Sequence, residues 1–526
     1  MHIFKKMQLY AATVTQMKPS QVIRRGAKWA GLQCSLGCKV CFSNNVFPIP
    51  PLYILDLDPV FLSRFSTEEL MHDTFTFLHR TCLLNPENRW ENPDETPLWN
   101  FNLHYFEFLF PLWNAYLRAQ DERYLKQADR LIDCWIRQNP SARKGPGWEA
   151  YTIALRLTNW IGFYGMAEHE LSISSKSVMI HSMHEQYDYL SRHLEKDILG
   201  NHYFENLKAL VLCSVFFRDE KMLYRSVKEL RQECKEEILE DGMHYELSPM
   251  YHNLILEGLL KVTSALREYG QADRELESYL QPMLDAAWSL EESASRLPLF
   301  NDTGNNVAKG IETLVSAAYS YFGIEPHFKK QLPNAGYYIY KRGPWKLIID
   351  AGQPGPSYIP GHAHCDALSF ELFKNGVPAV VNCGTYAYQT KLRDFFRSTP
   401  AHNTVMINQK EQSHCWGIFR LAERSSVHIL MSDDMHLIAI MKDQAGQMVK
   451  RSFFFGDELI ITDETKVGQL TGFFHPMISL EYSLNCDNAS ECAHLYAPEY
   501  GDYSEIKAIK YEGPGEISLR IYLDDR

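Results

Sequence analysis

Residues 361–372 read Gly361-His362-Ala363-His364-Cys365-Asp366-Ala367-Leu368-Ser369-Phe370-Glu371-Leu372. Two patterns overlap in this run. In extended backbone, side chains alternate faces, so His362, His364 and Asp366 point the same way. From Ala367 onward, Leu368, Phe370 and Leu372 alternate with Ser369 and Glu371, the pattern of a half-buried strand. A polar cluster therefore sits where a turn feeds a strand. Downstream, Asn382 precedes Cys383-Gly384, and His402 precedes another strand, Thr404 to Ile407. Three imidazoles and an amide on adjacent β elements suit a metal site with a spare histidine.

Working outward, short strands continue on both sides of this run. Tyr337-Tyr338-Ile339-Tyr340 and Trp345 to Asp350 flank Lys341-Arg342-Gly343-Pro344, a hairpin pattern. Further strands are expected at 426–431, 437–441, 450–455, 458–462 and 517–523. Upstream the period is different. From Ser66 to about Phe322 apolar residues recur at helical spacing, with turn signals such as Lys144-Gly145-Pro146-Gly147 and Asp241-Gly242 between segments. Ser66-Thr67-Glu68-Glu69 has the chemistry of a helix start. Helices first and strands afterward predict an α+β multidomain chain. Its parts are a leader and linker over 1–65, an incomplete helical toroid over 66–325 and an antiparallel β-sandwich over 330–526. The change of period is expected within 323–337.

The chain has 526 residues, 45% hydrophobic and 22% charged, with a net charge of −12. This is a globular composition. The acidic balance argues against a nucleic-acid partner, which selects for basic excess. No run approaches the length of a membrane span, and the start Met1-His2-Ile3-Phe4-Lys5-Lys6 has no sustained apolar core, so no signal peptide is expected. Together with 12 scattered cysteines, this points to the cytoplasm, with the periplasm as the alternative. Cys34-x3-Cys38-x2-Cys41 has the spacing of an iron–sulfur motif of radical enzymes. Such enzymes need a βα barrel, and the next 250 or so residues read as helices.

Two segments of the helical half carry chemistry. In Gly200-Asn201-His202-Tyr203-Phe204-Glu205-Asn206, helical spacing puts His202, Glu205 and Asn206 on one face. Asn201 falls at the expected N-cap, where N–H groups and the helix dipole favour an anion. In Asp241 to His252, Tyr251 follows Ser248-Pro249 at a helix start.

These segments, with Gly361 to Leu372 and Arg397-Ser398-Thr399-Pro400-Ala401-His402-Asn403-Thr404, resemble the heparinase II/III family of polysaccharide lyases over roughly residues 95 to 465. The resemblance implies a helical toroid followed by a β-sandwich, and β-elimination on acidic, uronic-acid polysaccharides such as glycosaminoglycans. It implies carboxylate neutralisation by Asn201 and His202, acid–base work by Tyr251 and His362, and a supporting role for Glu205. Asn102, His104 and Arg156 fall in weaker matches, as substrate contacts or as buried polar ties between helices. A structural zinc ion is implied at His364, Asn382 and His402. Asn382 stands where the family usually has Asp, which weakens the set, and Cys383 or Cys365 would substitute. Many family members are secreted; those without a signal resemble products of capsule or exopolysaccharide gene clusters. Two other readings stay open. One is a glycoside hydrolase using carboxylates among Glu205, Glu246 and Asp366. The other is a non-catalytic glycan-binding member of a polysaccharide assembly system.

Overall fold

The computed structural model describes residues 3–32, 34–43, 45–85, 90–140, 144–291, 296–305 and 307–523. An incomplete helical toroid comes first and an antiparallel β-sandwich second. The helical part is organised around Asn201–Phe216. Every residue of this helix except His202 is buried, because it packs against Ala150–Ala167, Glu220–Glu237 and Pro249–Glu268. A helix that is apolar on all faces belongs in a core, and the one exposed position marks where this helix meets solvent. Short polar side chains start the surrounding helices by accepting free backbone N–H groups: Thr96 from Trp99, Asp219 from Met222 and Ser248 from Tyr251.

The sandwich has a five-stranded sheet, Gln331–Leu332, Tyr337–Arg342, Trp345–Asp350, Ser369–Lys374 and Val377–Val380 in that order, antiparallel throughout. It faces an eight-stranded sheet dominated by the long pair Glu458–Phe474 and Ser504–Tyr522. Leu347, Ile349, Phe370 and Leu372 meet Phe453, Leu459, Ile461 and Leu519 in the core between the sheets. The opposite face of the smaller sheet is not free. Ile339, Ile348 and Phe373 pack on Met243, Leu247, Ala286 and Leu290 of the helical domain. Ser369 and Glu371, expected on a solvated face, are therefore buried, and Glu371 accepts the N–H of Asn382 at 2.8 Å.

Three details depart from the sequence reading. Ser66 does cap a helix, but only the short Thr67–Met71. A β-hairpin, Thr74–Phe77 with Arg80–Leu83, follows it inside the region read as wholly helical. Residues before 66 are also folded onto both domains. Leu9 packs with Trp416, whose indole donates to Thr13 Oγ1, while Arg24 donates to the Lys196 carbonyl and Lys18 pairs with Glu236. Finally, Cys34, Cys38 and Cys41 form no ligand group among the described residues. Cys38 lies against the Met222 sulfur and the Cys41 N–H donates to Asp219. Among the described residues of 60–320 there are no parallel βαβ units, so the iron–sulfur reading has no scaffold.

Candidate active site between the domains

The helix Asn201–Phe216 points its N-terminus at the sandwich. Gly200, not Asn201, is the N-cap, at φ 63°. A Cβ there would lie 2.2 Å from Glu246 Oε1, so only glycine fits. Asn201 is instead the first helical residue. Its amide Nδ2 donates to Glu246 Oε2 at 3.0 Å and lies 3.3 Å from His362 Nε2. Tyr251, in the first turn of Pro249–Glu268, places its ring 4.1 Å from the His362 ring, centroid to centroid. Residues from both domains thus converge on one cleft, whose wall includes Phe419 and Tyr388 beside His362.

Asp302 organises the sandwich side. It is fully buried and accepts from His362 Nδ1 at 3.0 Å, from His364 Nε2 at 2.8 Å and from both terminal nitrogens of Arg393. Burial alone would push its carboxyl up, but Arg393 and the two imidazoles hold it well below the usual carboxylate range. An ionised carboxylate only accepts. His362 therefore carries its proton on Nδ1 and leaves Nε2 as a lone pair facing Asn201 Nδ2. The Tyr251 hydroxyl is 2.8 Å from Tyr388 Oη, which is 2.8 Å from Tyr500 Oη. Burial raises the Tyr251 phenol well above its ordinary value, so it is a proton donor at neutral pH. His202, 38% exposed at the side chain, has its Nδ1 3.1 Å from Glu195 Oε1 and its ring against Tyr151. Burial opposes its charge, yet Glu195 outweighs this and the His202 pKa is raised.

The other expected residues lie elsewhere. Glu205 does not orient His202; it is buried and paired with Lys208, one turn along the helix, and Glu195 takes the role. Arg156 is completely buried. It donates to Gln186 Oε1 and to the carbonyls of His104 and Gly147, and stacks on Trp135. His104 is buried too, accepting from the Trp135 indole. Asn102 donates to the Leu98 carbonyl in its own helix. Arg156 and His104 are ties between helices, not substrate contacts. Glu205, Glu246 and Asp366 are all buried and offer no open carboxylate pair for hydrolysis.

The Asn382 side-chain carbonyl oxygen Oδ1, expected as the third ligand, is engaged next to His402. It accepts from the N–H and Nδ2 of Asn403. The carboxylate within 4.8 Å of both His364 and His402 is Asp366. His364 Nδ1 and His402 Nε2 are 3.3 Å apart. Because His364 Nε2–H donates to Asp302, Nδ1 is left as a lone pair turned toward His402, the arrangement that orients metal-binding imidazoles. His364, Asp366 and His402 fit a divalent ion. Cys365 points away, 3.8 Å from Cys415. Sequence reasoning missed Glu195, Arg393, Tyr388 and Tyr500, left Asp302 without a role and considered Glu246 only as a hydrolytic carboxylate.

A helical toroid and a β-sandwich that jointly build one cleft define the class of this protein. Family models match accordingly: the heparinase II/III N-terminus over residues 70–329 and the heparinase II/III-like C-terminal domain over 325–493. The chain belongs to the heparinase II/III-like family. It is similar to a curated heparin-sulfate lyase of Pedobacter heparinus, 26% identical over an alignment of 360 residues that covers 61% of this chain and 53% of the relative. A heparin-sulfate lyase of Bacteroides thetaiotaomicron is 22% identical over 486 residues, 81% of this chain and 67% of the relative. The match thus spans about half to two thirds of these relatives. Among solved structures, a heparinase III crystal structure superposes with a TM-score of 0.67 at 16% identity, covering 92% of this chain and 87% of the other. The heparan sulfate lyase of Pedobacter heparinus gives 0.55 at 17% identity, covering 88% and 83%. At these identities the superpositions establish the fold.

Proposed function

We propose that this protein is a polysaccharide lyase that cleaves a uronic-acid-containing glycan by β-elimination. The observation that carries the reading is the meeting of Tyr251, Asn201 and His362 from two domains in one cleft. His362 Nε2, freed by Asp302, removes the C5 proton of the uronate. The electron pair left on C5 forms the C4–C5 double bond and expels O4. Tyr251, kept protonated by burial, donates to the leaving oxygen, and Tyr388 and Tyr500 supply a hydroxyl chain for its reprotonation. Negative charge that builds on the uronate carboxylate is met by the Asn201 amide and by His202, whose charged form Glu195 favours. A divalent ion, if bound, is held by His364, Asp366 and His402, and its positive charge braces the loop between His362 and Asp366.

The named activity of the curated relatives makes heparan-type glycosaminoglycans the first substrates to test, and capsular or exopolysaccharide polyuronides the second. Mass spectrometry of the products decides the chemistry. Elimination gives a product one water lighter than the hydrolysis product. Products carrying an added water, or no products from the whole series, would reject the reading.

A further inference from the structure

Behind the catalytic loop lies a second cluster, made of Cys383, His475 and His494. Cys383 follows the strand Val377–Val380, His475 follows Glu458–Phe474, and His494 lies on Asn488–Tyr496. One donor atom from each falls within 4.8 Å of the others. Cys383 and His475 are fully buried and His494 is half-buried.

The hydrogen bonds around the cluster aim both imidazoles inward. His475 Nδ1 is 2.9 Å from Asn403 Oδ1, which also accepts the His475 backbone N–H. A carbonyl oxygen only accepts, so His475 carries its proton on Nδ1 and leaves Nε2 as a lone pair. On the other ring, His494 Nε2 has its own partner in Cys492 Sγ at 3.5 Å, so Nδ1 is the nitrogen that faces His475. These two inward nitrogens, His475 Nε2 and His494 Nδ1, are 3.0 Å apart. Across that gap the two rings either share one proton in an N–H···N hydrogen bond or turn both lone pairs to a bound cation. The Cys383 sulfur completes the triangle. Nitrogen and sulfur ligands of one tetrahedral zinc ion are about 3.3–3.8 Å apart, given bonds of about 2.0–2.3 Å. To hold the ion the two nitrogens would open by about 0.3 Å and the Cys383 sulfur, within 4.8 Å of them, would close in. Two imidazoles and a thiolate are a donor set for zinc and not for magnesium or calcium.

We infer that Cys383, His475 and His494 form a zinc-binding site, distinct from the His364, Asp366 and His402 group. The Cys383 thiol loses its proton to solvent on binding, and water reaching the half-buried His494 fills the fourth position. The ion would pin the segment 381–385 to two strands of the large sheet. That segment already clasps the loop that carries His402, through the Cys383 N–H donating to the Ala401 carbonyl at 2.9 Å. The odd Asn382-Cys383 pair then has a simple account: one position turns to Asn403 and the next supplies sulfur to a different ion.

Cobalt(II) substitution tests this independently of activity. Metal-free full-length protein titrated with cobalt should develop a thiolate-to-cobalt charge-transfer band together with the intense visible bands of tetrahedral cobalt. Cys383→Ser should abolish the charge-transfer band, although Cys34, Cys38 and Cys41 remain. His494→Gln, at a half-buried position that tolerates the change, should weaken cobalt binding at this band by at least about 10-fold. His402→Gln should leave the band in place. No thiolate band in the wild-type protein, or one that survives Cys383→Ser, would overturn the assignment and leave the two histidines as a proton-bridged pair. A band lost in His402→Gln but kept in His494→Gln would also overturn it. None of these outcomes bears on the lyase reading.

Discussion

Asp302 carries more of the site than any other residue. It fixes the His362 and His364 tautomers and neutralises Arg393, all without solvent contact. Asp302→Asn keeps the shape but can donate as well as accept, so His362 loses its defined lone pair. Turnover should fall by about 10²–10⁴-fold, the range of a lost general base. Denaturant melts should show a loss of about 3–5 kcal/mol, because Arg393 is left buried and unpaired. His202 gives the pH dependence. Its raised pKa means the charge extends to higher pH than on an ordinary histidine and is lost as pH rises through the folded value. Whatever stability the Glu195 pair contributes is likewise full below the ordinary histidine value and lost above the raised one. The KM for an anionic glycan should therefore climb at the alkaline side of this window, and Glu195→Gln should shift the climb to lower pH. A pH profile of KM that is unmoved by Glu195→Gln would remove His202 from carboxylate binding. Residue types in the motifs were legible in the sequence; their partners were less so. Helical spacing offered Glu205 to His202, but Lys208 lies one turn from Glu205 and captures it. Glu195 comes from the loop before the helix, where no periodicity points.

At the level of elements, the junction between Gly200 and the helix Asn201–Phe216 is the most constrained point. Leu199, Leu247, Asn301 and Leu368 all adopt positive φ, and each lies within two residues of Asn201, Glu246, Asp302 or Asp366. Left-handed backbone at leucine is costly and persists where surrounding bonds over-determine it. The Leu247 carbonyl, for instance, accepts from both Asn301 Nδ2 and the Tyr337 hydroxyl. Gly200→Ala would force a Cβ into Glu246 and displace the partner of Asn201. It should cost about 1–2 kcal/mol in chemical denaturation and lower kcat more than it raises KM. The alternation of strands and the 3.6 period of helices made most elements legible. The hairpin Thr74–Leu83 was missed although Thr74-Phe75-Thr76-Phe77 does alternate. Its turn uses Leu78 and His79 at positive φ, with no glycine or asparagine to announce it.

For the whole molecule, the two domains share a core. The five-stranded sheet is covered by the large sheet on one face and by the helical domain on the other, so the halves of the site are held in register by packing. Phe373, buried in the interdomain layer, should on replacement by Ala cost about 3–5 kcal/mol and reduce activity before the β-sandwich unfolds, checked by comparing activity with circular dichroism along a denaturant series. The order of helical and sandwich domains was legible from period alone. Their shared layer was not, because a strand buried on both faces still alternates when Ser369 and Glu371 fill its second face. The leader was hidden for a similar reason: its contacts are to residues about two hundred and four hundred positions away.

The central claim is that Tyr251 and His362 perform elimination across the domain boundary. It is tested most directly by the near-ultraviolet absorbance of the conjugated C4–C5 double bond as protein acts on a uronic-acid glycan. The wild-type protein should give a steady rise. Tyr251→Phe keeps the ring against His362 and removes only the hydroxyl, so it should give no rise while folding and glycan binding persist. Undiminished absorbance growth from Tyr251→Phe would contradict the account.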